Sequence, residues 1–147
     1  MMLNLKSLNE NIKYKKFKME TVQTALQLIT QNSYFASIDL RDAYYSTEVH
    51  KDFFFRRDTL YYFQAAAMGL APVPRKFTKQ TKPTLAHLHD LEHVITSFID
   101  VSLLVGETKL DIVHSVTDTI KGFDSLGFVI RKKVSVHAHA ADNLFGI

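Results

Sequence analysis

Apolar residues recur along this chain with two different periods, and the alternation of those periods predicts an α+β domain. Four short apolar runs are typical of strands: residues 34–40, 94–99, 101–105 and 128–130. Residues 75–90, and the segment between Thr108 and Gly127, have apolar positions at helical spacing. The resulting order, strand-helix-strand-strand-helix-strand, is the split β-α-β pattern of ferredoxin-like folds. Such a sheet places its first and third strands side by side and antiparallel at its centre.

Local signals mark the ends of several elements. Thr108, followed three positions later by Asp111, predicts a capping box at the start of a helix. Gly127 predicts the end of that helix, and Pro83 predicts a kink or break in the earlier one. Three further elements are predicted: a helix over residues 19–29, a strand over residues 44–49, and a hairpin formed by residues 53–55 and 60–63.

The composition is that of a single compact domain. The chain has 147 residues, of which 46% are hydrophobic, so it can bury a core of its own. We predict a domain over residues 1–135 and a disordered tail over residues 136–147, where no periodicity is present. With no Cys, disulfides and thiolate metal sites are excluded. No apolar run approaches the roughly 18 residues of a membrane span, and no signal-peptide pattern is present. We therefore expect an intracellular protein, in the cytoplasm or nucleus, with no membrane partner.

The net charge of +3 is concentrated near the N-terminus. One short segment contains a group of lysines interleaved with Tyr14 and Phe17: Lys6, Lys13, Lys15, Lys16 and Lys18. Basic and aromatic side chains in alternation suit a groove that follows a nucleic-acid backbone. A solvated basic face with two core aromatics is the simpler interpretation of the segment taken alone.

Two carboxylates follow apolar strands that are distant in sequence. Asp39 lies near the end of the first predicted strand, and Asp100 lies in the turn before the third. The predicted sheet brings both to one edge, where like charges repel unless a divalent cation bridges them or one is protonated. Oxygen ligands favour Mg²⁺ or Mn²⁺, and a pair of such ions is typical of nucleotidyl transfer. Two ordinary strand-end acids remain the alternative.

Five segments resemble the motifs of reverse transcriptases, and along the chain they follow one another in the order that those enzymes have. Residues 38–45, with the sequence Ile-Asp-Leu-Arg-Asp-Ala-Tyr-Tyr, resemble the first catalytic motif, and residues 98–101 resemble the aromatic-x-Asp-Asp hairpin. Residues 68–79 resemble the motif that positions template and nucleotide. Residues 126–133 resemble the motif after the second palm helix, and residues 3–9 the fingers-to-palm segment. Residues 39–45 and 69–72 in particular resemble the corresponding segments of DIRS-like or gypsy-like retrotransposon polymerases.

The resemblance implies a ferredoxin-like, split β-α-β palm with a remnant of the fingers, and RNA-directed DNA polymerase activity. It implies two Mg²⁺ (or Mn²⁺) ions as cofactors for nucleotidyl transfer, and an RNA or DNA template-primer and deoxynucleoside triphosphates as partners. Asp39 and Asp100 are implied to be catalytic metal ligands, together with the Leu40 carbonyl. Residues implied to contact the nucleotide are Leu40, Arg41, Asp42, Ala43, Tyr44, Met68, Gly69 and Lys132. Within this set, Tyr44 is implied to be a steric gate beneath the sugar, and Lys132 or Lys133 a proton donor to pyrophosphate.

The chain also departs from the resembled pattern. Val101 stands where those enzymes have a second hairpin Asp, so we expect weak metal binding and impaired polymerase activity. The segment from Asp39 to Met68 is short, and most of the fingers, the thumb and any nuclease domain are expected to be missing. Two other interpretations stay open. One is a non-catalytic nucleic-acid-binding module that stacks bases on strand aromatics; the other is a structural remnant of a decayed element.

Overall fold

The computed structural model describes residues 4–13, 15–19, 23, 27–30, 32–48, 53–56, 59–131 and 135–138. Its α-helices are α1 (Lys6–Asn11), α2 (Val73–Asp90) and α3 (Lys109–Ser125). Its strands are β1 (Tyr34–Arg41), β2 (Phe53–Arg56), β3 (Thr59–Tyr62), β4 (Val94–Phe98), β5 (Val101–Gly106), β6 (Val129–Ile130) and β7 (Ser135–Ala138). None of the described helices is both long and apolar enough to cross a bilayer.

The main sheet has the predicted topology. Its strand order is β4-β5-β1-β6, and β1 pairs antiparallel with β5 at the centre. In sequence order this is the arrangement of the split β-α-β fold, so the predicted α+β class is confirmed. The predicted hairpin is also present, since β2 and β3 pair as a separate two-stranded sheet.

Alternation along β1 separates a core face from an open face. Ala36, Ile38 and Leu40 are buried, while Ser37 and Asp39 between them are only partly covered. The buried side packs in two clusters beneath the helices. One contains Ala36, Ile38, Leu88, Ile95, Leu104 and Ile112; the other contains Leu40, Ala43, Phe77, Phe123 and Phe128. The second cluster lies below the strand end that carries Asp39, so it forms the floor of that edge.

Helix α2 continues through Pro83, and the predicted break is absent. Proline removes the helical hydrogen bond to the Lys79 carbonyl, but Lys79 and Pro83 are both exposed, so this carbonyl can bond to water. The next residue, Thr84, is buried against α3. Its Cγ2 lies so close to Gly122 of α3 that a Cβ atom added to that glycine would be only 2.7 Å away. Close packing against α3 supports the turn that proline weakens.

Two elements differ from the sequence-based expectation. The described part of the strand predicted over residues 44–49 is not a strand, because Asp42 adopts a left-handed conformation (φ 51°) that turns the chain into a 3₁₀ helix over Ala43–Ser46. Glu48 beyond that helix forms only an isolated antiparallel bridge with Ala65, and residue 49 lies outside the described residues. In that helix, the Tyr45 amide donates to the Asp42 carbonyl at 2.8 Å. A strand that was not expected, β7, pairs with Tyr34–Ser37 of β1. Most of the helix predicted over residues 19–29 lies outside the described residues.

The predicted capping box is confirmed and yields a stability prediction. The Asp111 amide donates to Thr108 Oγ1 at 3.1 Å, and the Thr108 amide donates to Asp111 Oδ2 at 2.9 Å. We expect Thr108→Ala to lower the free energy of unfolding by about 1 kcal/mol, because an N-terminal amide loses its acceptor. The check is urea denaturation, with Thr117→Ala as control: Thr117 is exposed in the same helix, and its hydroxyl donates to the Val113 carbonyl of that helix.

The contact between Thr108 and Asp111 makes the stability loss in Thr108→Ala depend on pH. The hydrogen bonds from Thr108 hold the pKa of Asp111 below its ordinary 3.8, so the ionised form stabilises the fold. This contribution to the free energy of unfolding is present above pH 3.8 and is lost as the pH falls through the lowered pKa of Asp111. The difference between the parent protein and Thr108→Ala should therefore shrink in acid, and an unchanged difference would contradict this assignment.

Candidate active site

The two predicted acids meet at one edge of the sheet. Asp39 is directly opposite Val101 in the β1–β5 register, and the Leu40 amide donates to the Asp100 carbonyl at 2.8 Å. In a strand, the N–H and C=O of one residue point towards the same neighbour, so the Leu40 carbonyl also faces the Asp100 side. Two carboxylate-bearing residues and one carbonyl thus converge where β1 ends.

The turn that carries Asp100 is strained. Phe98 pairs with Val101, so only Ile99 and Asp100 connect β4 to β5. Ile99 has φ 55°, a conformation that β-branched residues rarely adopt and that costs roughly 1–3 kcal/mol. Two-residue hairpins need a positive φ at the first loop position, so the tight turn imposes this geometry. The strain is the consequence of placing Asp100 at the tip, beside the end of β1.

An arginine not recognised in the sequence occupies the same edge. Arg131 Nη1 lies 3.4 Å from Asp39 Oδ2, and the Arg131 amide donates to the Asp39 carbonyl at 2.8 Å. The two side chains are 63% and 34% exposed, so solvent screens the ion pair and its effect on stability is small. Its electrostatic consequence is local, because the guanidinium offsets part of the negative charge that would attract a metal ion.

Tyr44, which the resemblance implies to be a steric gate, packs against the second core cluster. Its ring packs edge-on against Phe77, with ring centroids 5.9 Å apart and planes at 83°. Burial, and then the charge of Asp100, raise the pKa of the Tyr44 hydroxyl, so this side chain remains neutral and lies within electrostatic reach of Asp100. Ala43 beside it is buried, whereas Arg41 and Asp42 are exposed and pair with each other at 3.3 Å. The structure therefore groups Tyr44 with Asp100 and leaves Arg41 at the surface.

The Met68–Gly69 loop is held by a residue whose role the sequence did not reveal. Met68 is 62% exposed, and Gly69 has φ 88°, where glycine is favoured. Asn9 Nδ2 donates to the Gly69 carbonyl at 2.8 Å, and the Ala71 amide donates to Asn9 Oδ1 at 2.9 Å. Asn9 is the last residue of segment 3–9, which is one of the five segments that resemble reverse-transcriptase motifs. Its place in that segment is the one sequence signal that could have identified its role. Lys132 and Lys133 lie outside the described residues.

The donor set fits one divalent cation better than two. Among the described residues, no group of three or more acidic or histidine side chains is arranged to hold a metal ion. Asp39, Asp100 and the Leu40 carbonyl are the oxygen donors that the described residues bring to this edge, and the Val101 side chain offers none. Because Arg131 already contacts Asp39, we expect any such cation to be held weakly.

Comparison with known proteins identifies the fold. No family model and no curated protein sequence matches this chain. Among solved structures, the foamy viral protease-reverse transcriptase in complex with an RNA/DNA hybrid superimposes with a TM-score of 0.75, over 91% of this chain and 19% of that one, at 16% identity. The same viral enzyme in complex with double-stranded DNA gives a TM-score of 0.72, over 88% and 28% of the two chains, at 18% identity.

The native protease-reverse transcriptase of prototype foamy virus is similar to the same extent. It gives a TM-score of 0.69, over 92% of this chain and 18% of that chain, at 16% identity. This chain thus spans less than a third of the length of each of these relatives. The likeness shows an α+β fold that matches part of a reverse transcriptase.

Proposed function

We propose that this chain is the palm of an RNA-directed DNA polymerase of retrotransposon origin, with an impaired nucleotidyl-transfer centre. The observation that carries the proposal is the β1–β5 register, which brings Asp39 and Asp100 to one edge and sets Val101 opposite Asp39. The DIRS-like or gypsy-like origin is supported by the sequences of residues 39–45 and 69–72.

The proposed partners are a template-primer and deoxynucleoside triphosphates. The foamy viral enzymes of the same fold are described in complex with an RNA/DNA hybrid and with double-stranded DNA. By analogy, a primed RNA or DNA template would lie across the open face of the sheet, beside Asp39. A net charge of +3 is compatible with a polyanionic partner.

Each group of residues at the edge has its own proposed role in nucleotidyl transfer. A divalent cation, Mg²⁺ or Mn²⁺, held by Asp39, Asp100 and the Leu40 carbonyl, would neutralise charge on the reacting phosphates. Backbone amides near Asp42 and Ala43 would contact the triphosphate. The neutral Tyr44 ring, fixed on Phe77, would lie beneath the sugar and exclude a 2′-hydroxyl.

Two features of the edge account for the proposed impairment. Val101 removes one carboxylate from the face that Asp39 occupies, and Arg131 adds a positive charge beside the remaining one. Both changes weaken the attraction for a divalent cation. Slow nucleotide incorporation, or none, is the expected behaviour of the parent chain.

Substitution of Asp39 tests this proposal directly. On a primed RNA template, we expect Mg²⁺ to strengthen binding of the complementary nucleotide by about tenfold, equivalent to 1.4 kcal/mol, and Asp39→Asn to abolish that gain. Duplex binding without nucleotide should be little changed, because the substitution removes one charge from a partly exposed position. Fluorescence anisotropy of a labelled primer measures duplex binding, and anisotropy of a fluorescent nucleotide analogue measures nucleotide binding, each with and without EDTA.

The matched control is Asp124→Asn, which removes the same charge from an exposed position on α3. It should retain the response to Mg²⁺. If nucleotide binding by Asp39→Asn still increases with Mg²⁺, the proposed role of Asp39 as a metal ligand is refuted.

A non-catalytic nucleic-acid-binding role is the second candidate. The Asp39–Arg131 ion pair and the apolar Val101 favour it, because they leave the edge with little net negative charge. Duplex binding that responds to neither Mg²⁺ nor nucleotide, in the parent as in Asp39→Asn, would identify this role.

A further inference from the structure

A cleft with an acidic lining lies where the turn from α2 to β4 meets the start of α3, and its volume is about 360 Å³. Three of the residues that line it are apolar and three carry a carboxylate: Leu91, Val94 and Val105, and Glu92, Glu107 and Asp111. The other ionisable residues of the lining are His93 and His114, and no described lysine or arginine is among them. We refer to this surface as the acidic cleft.

The walls of the acidic cleft are held in place by side-chain and backbone contacts. The His93 ring lies between two side chains of α3, with Nδ1 2.9 Å from Ser115 Oγ and Nε2 3.1 Å from Asp118 Oδ2. The His93 amide donates to the Leu88 carbonyl at 3.0 Å, and β4 pairs with β5 directly beyond it. These contacts join the end of α2, the two strands and α3, so the shape of the cleft is defined before any ligand binds.

The acidic cleft exposes apolar surface beside carboxylates that have no cationic partner in the described part of the chain. Leu91 and Val94 are 46% and 44% exposed. Neither Glu92 nor Glu107 forms an ion pair with a described lysine or arginine, whereas carboxylates elsewhere do. A lysine side chain matches both properties, because its hydrocarbon stem can cover apolar surface while its ammonium group reaches a carboxylate. The chemistry of the cleft therefore favours a lysine-rich segment.

The chain itself carries a segment of this kind. Residues 13–18 contain four lysines, all of them exposed: Lys13, Lys15, Lys16 and Lys18. None of the four forms an ion pair with a described carboxylate, and the described residues of the segment form neither helix nor strand. In charge and in exposure, this segment is complementary to the acidic cleft.

The two surfaces lie at opposite ends of α2, so they cannot meet within one molecule. Lys15 lies beside Pro72 and Arg75 at the start of the helix, whereas Leu91 follows its last residue. With 18 residues, α2 is roughly 27 Å long. The chain from Lys15 to Lys18 spans at most about 11 Å, which does not bridge this distance. The lysines are therefore available only to the acidic cleft of another molecule.

We infer that the acidic cleft binds residues 13–18 of a second copy of this chain, so that copies associate head to tail. The lysine stems cover Leu91 and Val94, and the ammonium groups pair with Glu92 and Glu107. Because the two surfaces differ, a single contact leaves one of each unoccupied, and association continues beyond two copies. The inference does not depend on nucleotidyl transfer, and the contact requires neither nucleic acid nor a metal ion.

Two charge-reversed variants and their mixture test this contact. Glu92→Lys/Glu107→Lys changes the cleft, and Lys15→Glu/Lys16→Glu changes the segment. Each variant alone lacks one of the two surfaces, but a mixture of the two contains one intact cleft and one intact segment. Sedimentation velocity measures the association of protein freed from nucleic acid, in EDTA, over a range of protein concentrations and in roughly 0.05–0.5 M salt.

The control is Glu48→Lys/Asp124→Lys, which makes the same change of charge at two exposed carboxylates outside the cleft. Circular dichroism verifies the fold of each variant. A fluorescent peptide of residues 11–19 provides a second measurement that serves if a variant is unstable. The peptide should bind the parent protein, and the same peptide with Gln in place of its lysines should not.

The expected result is self-association of the parent protein that weakens as salt screens the exposed charges. Each charge-reversed variant should lose about tenfold or more in association constant, the control should lose little, and the mixture should regain most of the loss. A parent protein that stays monomeric, a mixture that associates no better than its components, or an equal loss in the control would overturn the inference. Peptide binding by a monomeric parent would also overturn it, since the occupant would then be a lysine-rich segment of another protein.

Discussion

Replacing Val101 with Asp is expected to make the stability of this protein depend on Mg²⁺ and to produce measurable primer extension. Val101 is paired with Asp39, and side chains of directly opposed residues have Cβ atoms roughly 4.5–5.5 Å apart. In EDTA the two carboxylates repel, and we expect a loss of about 0.2–1 kcal/mol in the free energy of unfolding. A cation that binds only the folded protein reverses this loss, by about 2.7 kcal/mol at a hundred times its Kd.

Urea denaturation in EDTA and in Mg²⁺ measures the first effect, and extension of a primed RNA template measures the second. The control is Val101→Asn, which has the shape of Asp without its charge and should show neither effect. The parent should respond weakly to Mg²⁺, because Asp39 and Asp100 lack a third acid and Arg131 contacts one of them. Equal responses in all three proteins would contradict the proposed role of position 101. Rapid extension by the parent would contradict the proposed impairment.

Truncation of Phe77 is expected to lower the free energy of unfolding of the domain by several kcal/mol. Phe77 is 1% exposed, and its ring contacts Tyr44 and Phe128, the latter at a centroid distance of 5.4 Å. Replacing a buried Phe with Ala lowers the free energy of unfolding by about 3–5 kcal/mol. Domains are stable by only about 5–15 kcal/mol in total, so a loss of this size removes a large share of the stability of the domain.

Far-UV circular dichroism during urea denaturation measures this loss, and Tyr45→Ala is the matched control. Tyr45 is an aromatic residue of the same site, but it is 54% exposed, so its truncation should change stability by no more than about 0.5 kcal/mol. Phe77→Leu should be intermediate, because it retains part of the buried volume. If Phe77→Ala is as stable as Tyr45→Ala, the ring does not form the floor of the site as described.

The sequence alone determined the order of the elements and the positions of the two acids. Apolar periodicity is a local property, and the runs that became β1, β4 and β5 were strong enough to predict the central antiparallel pair. That pair then implied that Asp39 and Asp100 share an edge, as they do. The capping box at Thr108 was equally local, since both partners lie within one helical turn.

Tertiary structure alone decided what surrounds those acids. Arg131 is next to Asp39 because β6 pairs with the end of β1, and Asn9 holds the Gly69 loop because α1 packs beside the start of α2. Neither contact has a periodic or spacing signal, since each joins residues far apart in sequence through only two polar contacts. The turn at Asp42 was missed for a related reason: a left-handed residue ended the strand although the residues after it have high strand propensity. Local pattern thus specified the scaffold and its two carboxylates, whereas long-range contacts specified the charge and shape around them.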